Sequence, residues 1–179
     1  LHKEYRRQRQ MCIRDSHILT EKQIPFHWIY LISSEKQYED LEKLETKYGN
    51  EYVEVHPIYT GDNLPFFEEN VYLAEEDILQ SNYDKQDIFA HQVMNTNFWG
   101  RLSVLPDGKV YSNLNHPPLG TLKDRVYDLI VDEMTSKRAW RWIRDEVSPC
   151  KDCLFRYLCP SPSNYELVIG KPNLCHVKP

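Results

Sequence analysis

The stretch that decides the reading is SPCKDCLFRYLCPSPSNYELVIGKPNLC, residues 148–175. It carries Cys150, Cys153, Cys159 and Cys175 in the spacing Cys-x2-Cys-x5-Cys-x15-Cys, all within 26 residues. Pro and Ser are frequent there and apolar periodicity is scarce. A segment this poor in core-forming residues has the character of a metal-stapled module, in which ligation supplies folding free energy that apolar burial does not. A Cys-x2-Cys pair can present two thiolates to one metal or one cluster edge, and two further cysteines complete tetrahedral or cubane ligation. Unrelated buried thiols are not expected to gather in the least regular part of a chain. Two disulfides would fit the count, but nothing in the sequence indicates an oxidising compartment. Spacing alone leaves zinc and iron–sulfur open. Zinc ribbons usually repeat a Cys-x2-Cys or Cys-x4-Cys knuckle, whereas Cys159 and Cys175 stand 16 apart, which tilts towards a cluster.

N-terminal to the cysteines, residues 137–146 read as a helix presenting Trp140 and Ile143. Before it, Val126, Leu129, Ile130, Glu133 and Met134 share one largely apolar helical face. Residues 99–105 (WGRLSVL) and 109–112 (KVYS) are strand-like and joined by Pro106-Asp107-Gly108. Pro presets φ, Asp bonds its own backbone and Gly accepts positive φ, so a β-hairpin is predicted. Further back, residues 26–32 (FHWIYLI) read as a buried strand. Ser34 is expected to cap a helix reaching about Tyr48, with Tyr38, Leu41, Leu44 and Tyr48 at helical spacing and Gly49-Asn50 ending it. Residues 51–59 (EYVEVHPIY) alternate as a second strand. Val71-Tyr72-Leu73, followed by a helix over 74–80, reads as a third unit. This alternation predicts an α/β class, with a partial βα domain over 17–94. Residues 95–179 are expected to form a small α+β domain: a β-hairpin, two helices and a Cys-rich, metal-bound tail.

The bulk numbers exclude several partners. A net charge of −5 argues against any global attraction to nucleic acid or to an anionic membrane surface. The mean hydropathy of −0.64 agrees, and the longest apolar stretch, residues 26–32, is too short to span a bilayer. A cytoplasmic protein is expected. Residues 1–14 (LHKEYRRQRQMCIR) are basic and lack the apolar core of a secretory signal. The block Met11-Cys12-Ile13-Arg14-Asp15-Ser16 resembles translated sequencing-adapter sequence. Residues 1–16 are therefore set aside as an artefact or a disordered basic tail, the biological chain is expected to start near His17 as part of something longer, and Cys12 drops out of the ligand count.

Residues 97–175 resemble a SPASM domain, the C-terminal module that binds auxiliary 4Fe-4S clusters in radical SAM peptide-modifying enzymes. The family pattern is Cys, then Gly-x4-Cys, a gap, Cys-x2-Cys-x5-Cys-x3-Cys, a gap and a last Cys. Here Cys150-x2-Cys153-x5-Cys159 and Cys175 match the four ligands of the family's second auxiliary cluster. Pro106-Asp107-Gly108-Lys109-Val110-Tyr111 matches the turn ahead of the Gly-x4-Cys cysteine. Gly108-x4 lands on Asn113, Cys159-x3 lands on Ser163, and no cysteine lies between residues 13 and 149. The resemblance thus implies that the first auxiliary cluster is lost and one 4Fe-4S cluster remains. The run Cys159-Pro160-Ser161-Pro162-Ser163-Asn164-Tyr165-Glu166, with Asn173-Leu174-Cys175, resembles the maturases of Bacteroidales peptide systems. One group is the grasp-with-spasm maturases, which accompany an ATP-grasp ligase; the other is the pseudo-radical-SAM proteins, which keep the fold without the catalytic cysteines. By fold analogy the preceding βα units fit the last part of a radical SAM barrel.

What the resemblance implies is a precursor peptide as partner, with an ATP-grasp ligase as companion. The Cys-x3-Cys-x2-Cys run that holds the SAM-cleaving cluster is absent. Either S-adenosylmethionine binds through sequence upstream, or the parent is a pseudo-enzyme. A zinc-stapled interaction module remains the alternative of a different class. No P-loop, His-Glu-x-x-His or Gly-x-Ser-x-Gly is present. His176 is expected to face solvent beside a ligand cysteine. Asn164 and Glu166 could orient the cluster loop or contact a peptide, with local turn bonding an equal reading. Trp140 and Trp142 are expected to anchor the core, and Arg138, Arg141 and Arg144 to form a solvated face. Glu68-Glu69 and Glu75-Glu76-Asp77 read as helix surface and N-terminal dipole partners.

Overall fold

The computed structural model describes residues 18–19, 21–24, 28–48 and 53–177. The chain is mixed α/β and divides into two compact units, Leu1–Ile58 and Tyr59–Pro179.

In the first unit, β1 (Trp28–Ile32) and β2 (Val53–Pro57) run parallel, in register from Trp28↔Val53 to Ile32↔Pro57. Parallel neighbours need a crossover, and α1 (Glu35–Tyr48) supplies it. Residues 26–27 and 51–52 of the predicted strands lie outside the described residues. The helix begins where Ser34 predicts. The Ser34 carbonyl accepts from Gln37 N at 3.0 Å, and Gln37 Oε1 reaches back to accept from Ser33 N at 2.7 Å. The strand is less enclosed than expected. Ile32 and Leu41 are buried, but Ile29 and Leu31 are exposed. They sit in register with Glu54 and His56, which pair at 2.7 Å. One helix can cover only one face of a two-stranded pair.

The second unit opens with α2 (Leu64–Asn70), which has Pro65 in its first turn and buries Phe66 and Phe67. Seven residues give no readable period, so the sequence carries little signal for it. Phe67 is fully buried and meets Tyr59 and Tyr165 edge-on at 5.5 and 5.2 Å. Val71-Tyr72-Leu73 does not extend the parallel pair. It forms one isolated parallel bridge, Leu73 to Cys175, closed by Leu73 N to Leu174 O and His176 N to Leu73 O, each at 3.0 Å. The turn between α2 and α3 (Glu75–Leu79) is too short for a strand. α4 (Lys85–Val93) follows, capped by Asp84, whose Oδ1 accepts from Gln86 N and Asp87 N. The reciprocal Asp84-Asp87 box was a legible start signal that the sequence reading did not use. These helices pack with the Cys-rich tail. His91 Nδ1 lies 2.9 Å from Tyr157 O, and Lys171 Nζ lies 2.9 Å from Glu68 Oε1.

The predicted hairpin is present as β3 (Ser103–Val104) and β4 (Lys109–Tyr111), with Gly108 at φ +78° in the turn. β5 (Gly120–Thr121) adds an unforeseen third antiparallel strand. α5 (Val126–Ser136) turns Leu129 and Glu133 inwards, and Ile130 and Met134 pack against the core of Phe98, Ala139 and Trp140.

The helix expected over 137–146 is not formed; only a 3-10 turn, η1 (Arg144–Glu146), lies there. Lys137 takes the left-handed conformation that ends α5. Tertiary bonds fix the segment instead, and two of them take carbonyls that a helix would use. The Glu133 carboxylate accepts from Ala139 N at 2.7 Å and Trp140 N at 2.9 Å. Trp140 O accepts from Asn95 N at 2.7 Å, and Trp142 O accepts from Asn95 Nδ2 at 2.9 Å. Trp140 is a core anchor, as expected.

Candidate metal centre

The four cysteines arrive on three pieces of irregular backbone. Cys150 opens the 3-10 turn η2 (Cys150–Asp152), and Cys153 closes it by donating N–H to Cys150 O at 3.0 Å. This turn sets the first two thiols on one short arc. Cys159 ends a second turn, donating N–H to Phe155 O at 3.0 Å. Cys175 is held by its bridge to Leu73.

All four are free thiols, Cys150 buried and the others half-buried. All four line one cavity. Two cations, Arg144 and Arg156, and apolar groups such as Leu73 and Ile78 complete its wall. Among the described residues, no three Cys, His, Asp or Glu side chains gather tightly enough to hold one metal ion.

Among the described residues, two side chains donate to sulfur. Asn173 Nδ2 lies 3.2 Å from Cys175 Sγ, and Arg144 Nη1 lies 3.8 Å from Cys150 Sγ. Arg144 is therefore not on a solvated face, contrary to the sequence reading. Its side chain is 8% exposed and pairs at 2.7 Å with Glu166, 3% exposed. Glu166 also forms a capping box with Ser163 at the start of α6 (Asn164–Ile169), accepting from Ser163 N at 2.8 Å and from the Ser163 hydroxyl. Of the readings of Glu166, local turn bonding is the one the capping box shows. His176 is exposed, and its Nε2 lies 2.8 Å from Glu68 O.

The two positions where the resemblance expects further cysteines carry structural polar bonds. Ser163 is the N-cap of α6. Asn113 is buried, donates Nδ2 to Asn164 Oδ1 at 2.7 Å and accepts from Asn115 N at 2.9 Å. The fold thus brings position 113 beside position 164, next to Ser163 in the chain, although the two are 51 apart in sequence.

Burial pushes the Cys159 thiol from 9.0 up to about 11; Arg144 opposes the rise, and the neighbouring Cys153, Cys175 and Cys150 add to it. Cys150 is also raised, by burial first, with Arg144 opposing and Cys175 and Cys153 adding. In the metal-free chain the folded state therefore holds these protons more tightly than the unfolded state. Its stability is intact below pH 9 and falls as pH rises towards about 11. The melting temperature of metal-free protein is expected to drop across that window. Metal-loaded protein, with its thiols already deprotonated as ligands, is expected to show a flatter profile.

Among the described residues, no helix is long and apolar enough to cross a membrane. Compared with known proteins, the chain matches no family model, no curated protein and no solved structure.

Proposed function

We propose that this chain is the cluster-bearing C-terminal part of a radical SAM-type maturase of ribosomally made peptides, with one 4Fe-4S cluster held by Cys150, Cys153, Cys159 and Cys175. The observation that carries the reading is the shared cavity: four free thiols from separated segments line its wall. The donor set fits the group. A cubane spreads its four sulfur ligands around a cube, whereas zinc draws four thiolates to one point at about 2.3 Å. Four cysteines lining one cavity are a donor set that either group takes, and the spacing of Cys159 and Cys175 tilts the reading towards the cluster. The reading is also supported by the meeting of Asn113 with Asn164, next to Ser163, because these are the positions at which the SPASM pattern would place ligands of another cluster.

In this reading the 17–94 region is the end of a radical SAM-like barrel and 95–179 a SPASM domain. The partners are a precursor peptide and the ATP-grasp ligase of the same system. A bound cluster would supply one-electron redox capacity. The chain's own residues would do the rest: the cysteines would supply all four ligands, Leu73 and Ile78 would limit water, and Arg144 and Asn173 donate to sulfur. Full ligation leaves no iron open to substrate, which favours a structural or electron-relay role. Anaerobically purified full-length chain is expected to be brown, with about four irons per chain. One tightly held zinc and no visible absorbance would favour the zinc-stapled interaction module instead.

A further inference from the structure

We infer that Arg144 is the positioning residue of the cysteine site, tying the ligand-bearing segments together through one buried guanidinium and donating to the Cys150 sulfur. This inference rests on the metal-site reading above. Each nitrogen of the guanidinium serves a different piece of chain. Nε donates to Pro160 O at 3.0 Å, one residue beyond Cys159. Nη1 faces Cys150 Sγ at 3.8 Å and donates to Pro172 O at 3.3 Å, just ahead of Cys175. Nη2 donates to Glu166 Oε1 at 2.7 Å. These segments have little regular structure of their own, so their relative placement needs a common partner. Arg suits that task because its planar fork presents five donors in fixed directions, where Lys offers one flexible point charge.

Burying a guanidinium is unfavourable unless it is paired and hydrogen-bonded. Glu166 satisfies only one edge of it. The other two nitrogens point at sulfur and at carbonyls beside the cysteines, which is the disposition expected of an outer partner of a thiolate site. Four thiolates around a doubly charged metal or cluster core form a net dianion, and N–H donation to sulfur stabilises that charge. A plain loop staple would account for the carbonyl bonds; the contact with Cys150 Sγ and the place in the cavity wall add the interaction with the ligands themselves.

The test is a Co2+ titration of the reduced, metal-free full chain, read by thiolate-to-cobalt charge-transfer absorption. The variants are Arg144→Lys and the pair Arg144→Met with Glu166→Met. The double variant removes both buried charges together, so that neither is left unpaired. It is expected to keep the wild-type far-UV circular dichroism and to bind Co2+ about 10–100-fold more weakly. Its charge-transfer band is expected at longer wavelength, because loss of N–H donation raises the sulfur lone-pair energy; a purely structural tie would leave the band in place. Arg144→Lys keeps a cation for Glu166 but cannot span sulfur and both carbonyls, and is expected to fall between wild type and the double variant. If the double variant does not fold, the Lys variant alone decides. Wild-type affinity and band position in the folded variants would overturn the role of Arg144 while leaving the metal site standing. A wild-type chain that gives no thiolate–cobalt band and takes up no iron or sulfide on anaerobic reconstitution would overturn the metal site itself; if it takes up iron alone, the variants are compared by iron content and by the cluster's visible absorption.

Discussion

Cys159→Ser protein is expected to emerge from anaerobic iron and sulfide reconstitution nearly colourless, while Cys12→Ser protein keeps the wild-type iron content. Outer hydrogen-bond partners of a metal site typically contribute roughly 10–100-fold in affinity, and a ligand contributes more, so the loss for Cys159→Ser is expected to exceed about 100-fold. Cys159 is the informative choice because it sits in its own turn, donating N–H to Phe155 O, apart from the Cys150–Cys153 pair. A hydroxyl in its place is far harder to ionise and is a poor ligand for iron or zinc. Cys12 lies outside the described residues and serves as the control that separates the four-cysteine site from generic thiol chemistry. Bound iron and acid-labile sulfide, with visible absorbance, are the measurements. Equal iron in Cys159→Ser and wild type would refute the ligand assignment, and equal loss in Cys12→Ser would show that the effect is not local to the cavity.

Glu166→Ala is expected to destabilise the metal-free protein by about 3–5 kcal/mol, the range found when one partner of a buried ion pair is removed. Arg144 would then keep its bonds to Pro160 O and Pro172 O but lose its counter-ion inside the fold. Burial works against the guanidinium charge; at present Glu166, by charge and hydrogen bond, outweighs it with help from Cys150 and Cys159, and the Arg144 pKa sits above its ordinary value. The same substitution removes the acceptor of the α6 capping box, leaving Ser163 N without its side-chain partner. Urea unfolding followed by tryptophan fluorescence measures the change. The pair Arg144→Met with Glu166→Met is expected to lose much less, since the cost lies in the unpaired charge and not in the absence of the salt bridge. A loss for Glu166→Ala within about 1 kcal/mol of wild type, as for an exposed pair, would show that this ion pair is not buried in solution.

The parts of the fold that the sequence predicted correctly are those whose signals are local. Alternating and β-branched residues marked β1 and β2, Ser34 and the Leu41 spacing marked α1, and Pro106-Asp107-Gly108 marked the hairpin turn. Two of the failures share one cause. Over 137–146, helical spacing is present, but the carbonyls of Trp140 and Trp142 that a helix would use accept from Asn95 instead. Val71-Tyr72-Leu73 had strand-like composition, but its one bridge goes to Cys175, a partner no local pattern can name.

The same division holds for the site. The residue types and spacing of Cys150, Cys153, Cys159 and Cys175 are enough to nominate a thiol-rich metal site, because ligand identity is a property of the sequence itself. That the four line one cavity depends on the Leu73–Cys175 bridge and on the turns at 150–153 and 155–159. The role of Arg144 was misread as solvated because it sits among Arg138 and Arg141 in a charged run. Only the tertiary structure turns it inwards, since its partners Pro160, Glu166 and Pro172 lie 16 to 28 residues away and desolvation is decided by packing, not by neighbours in sequence.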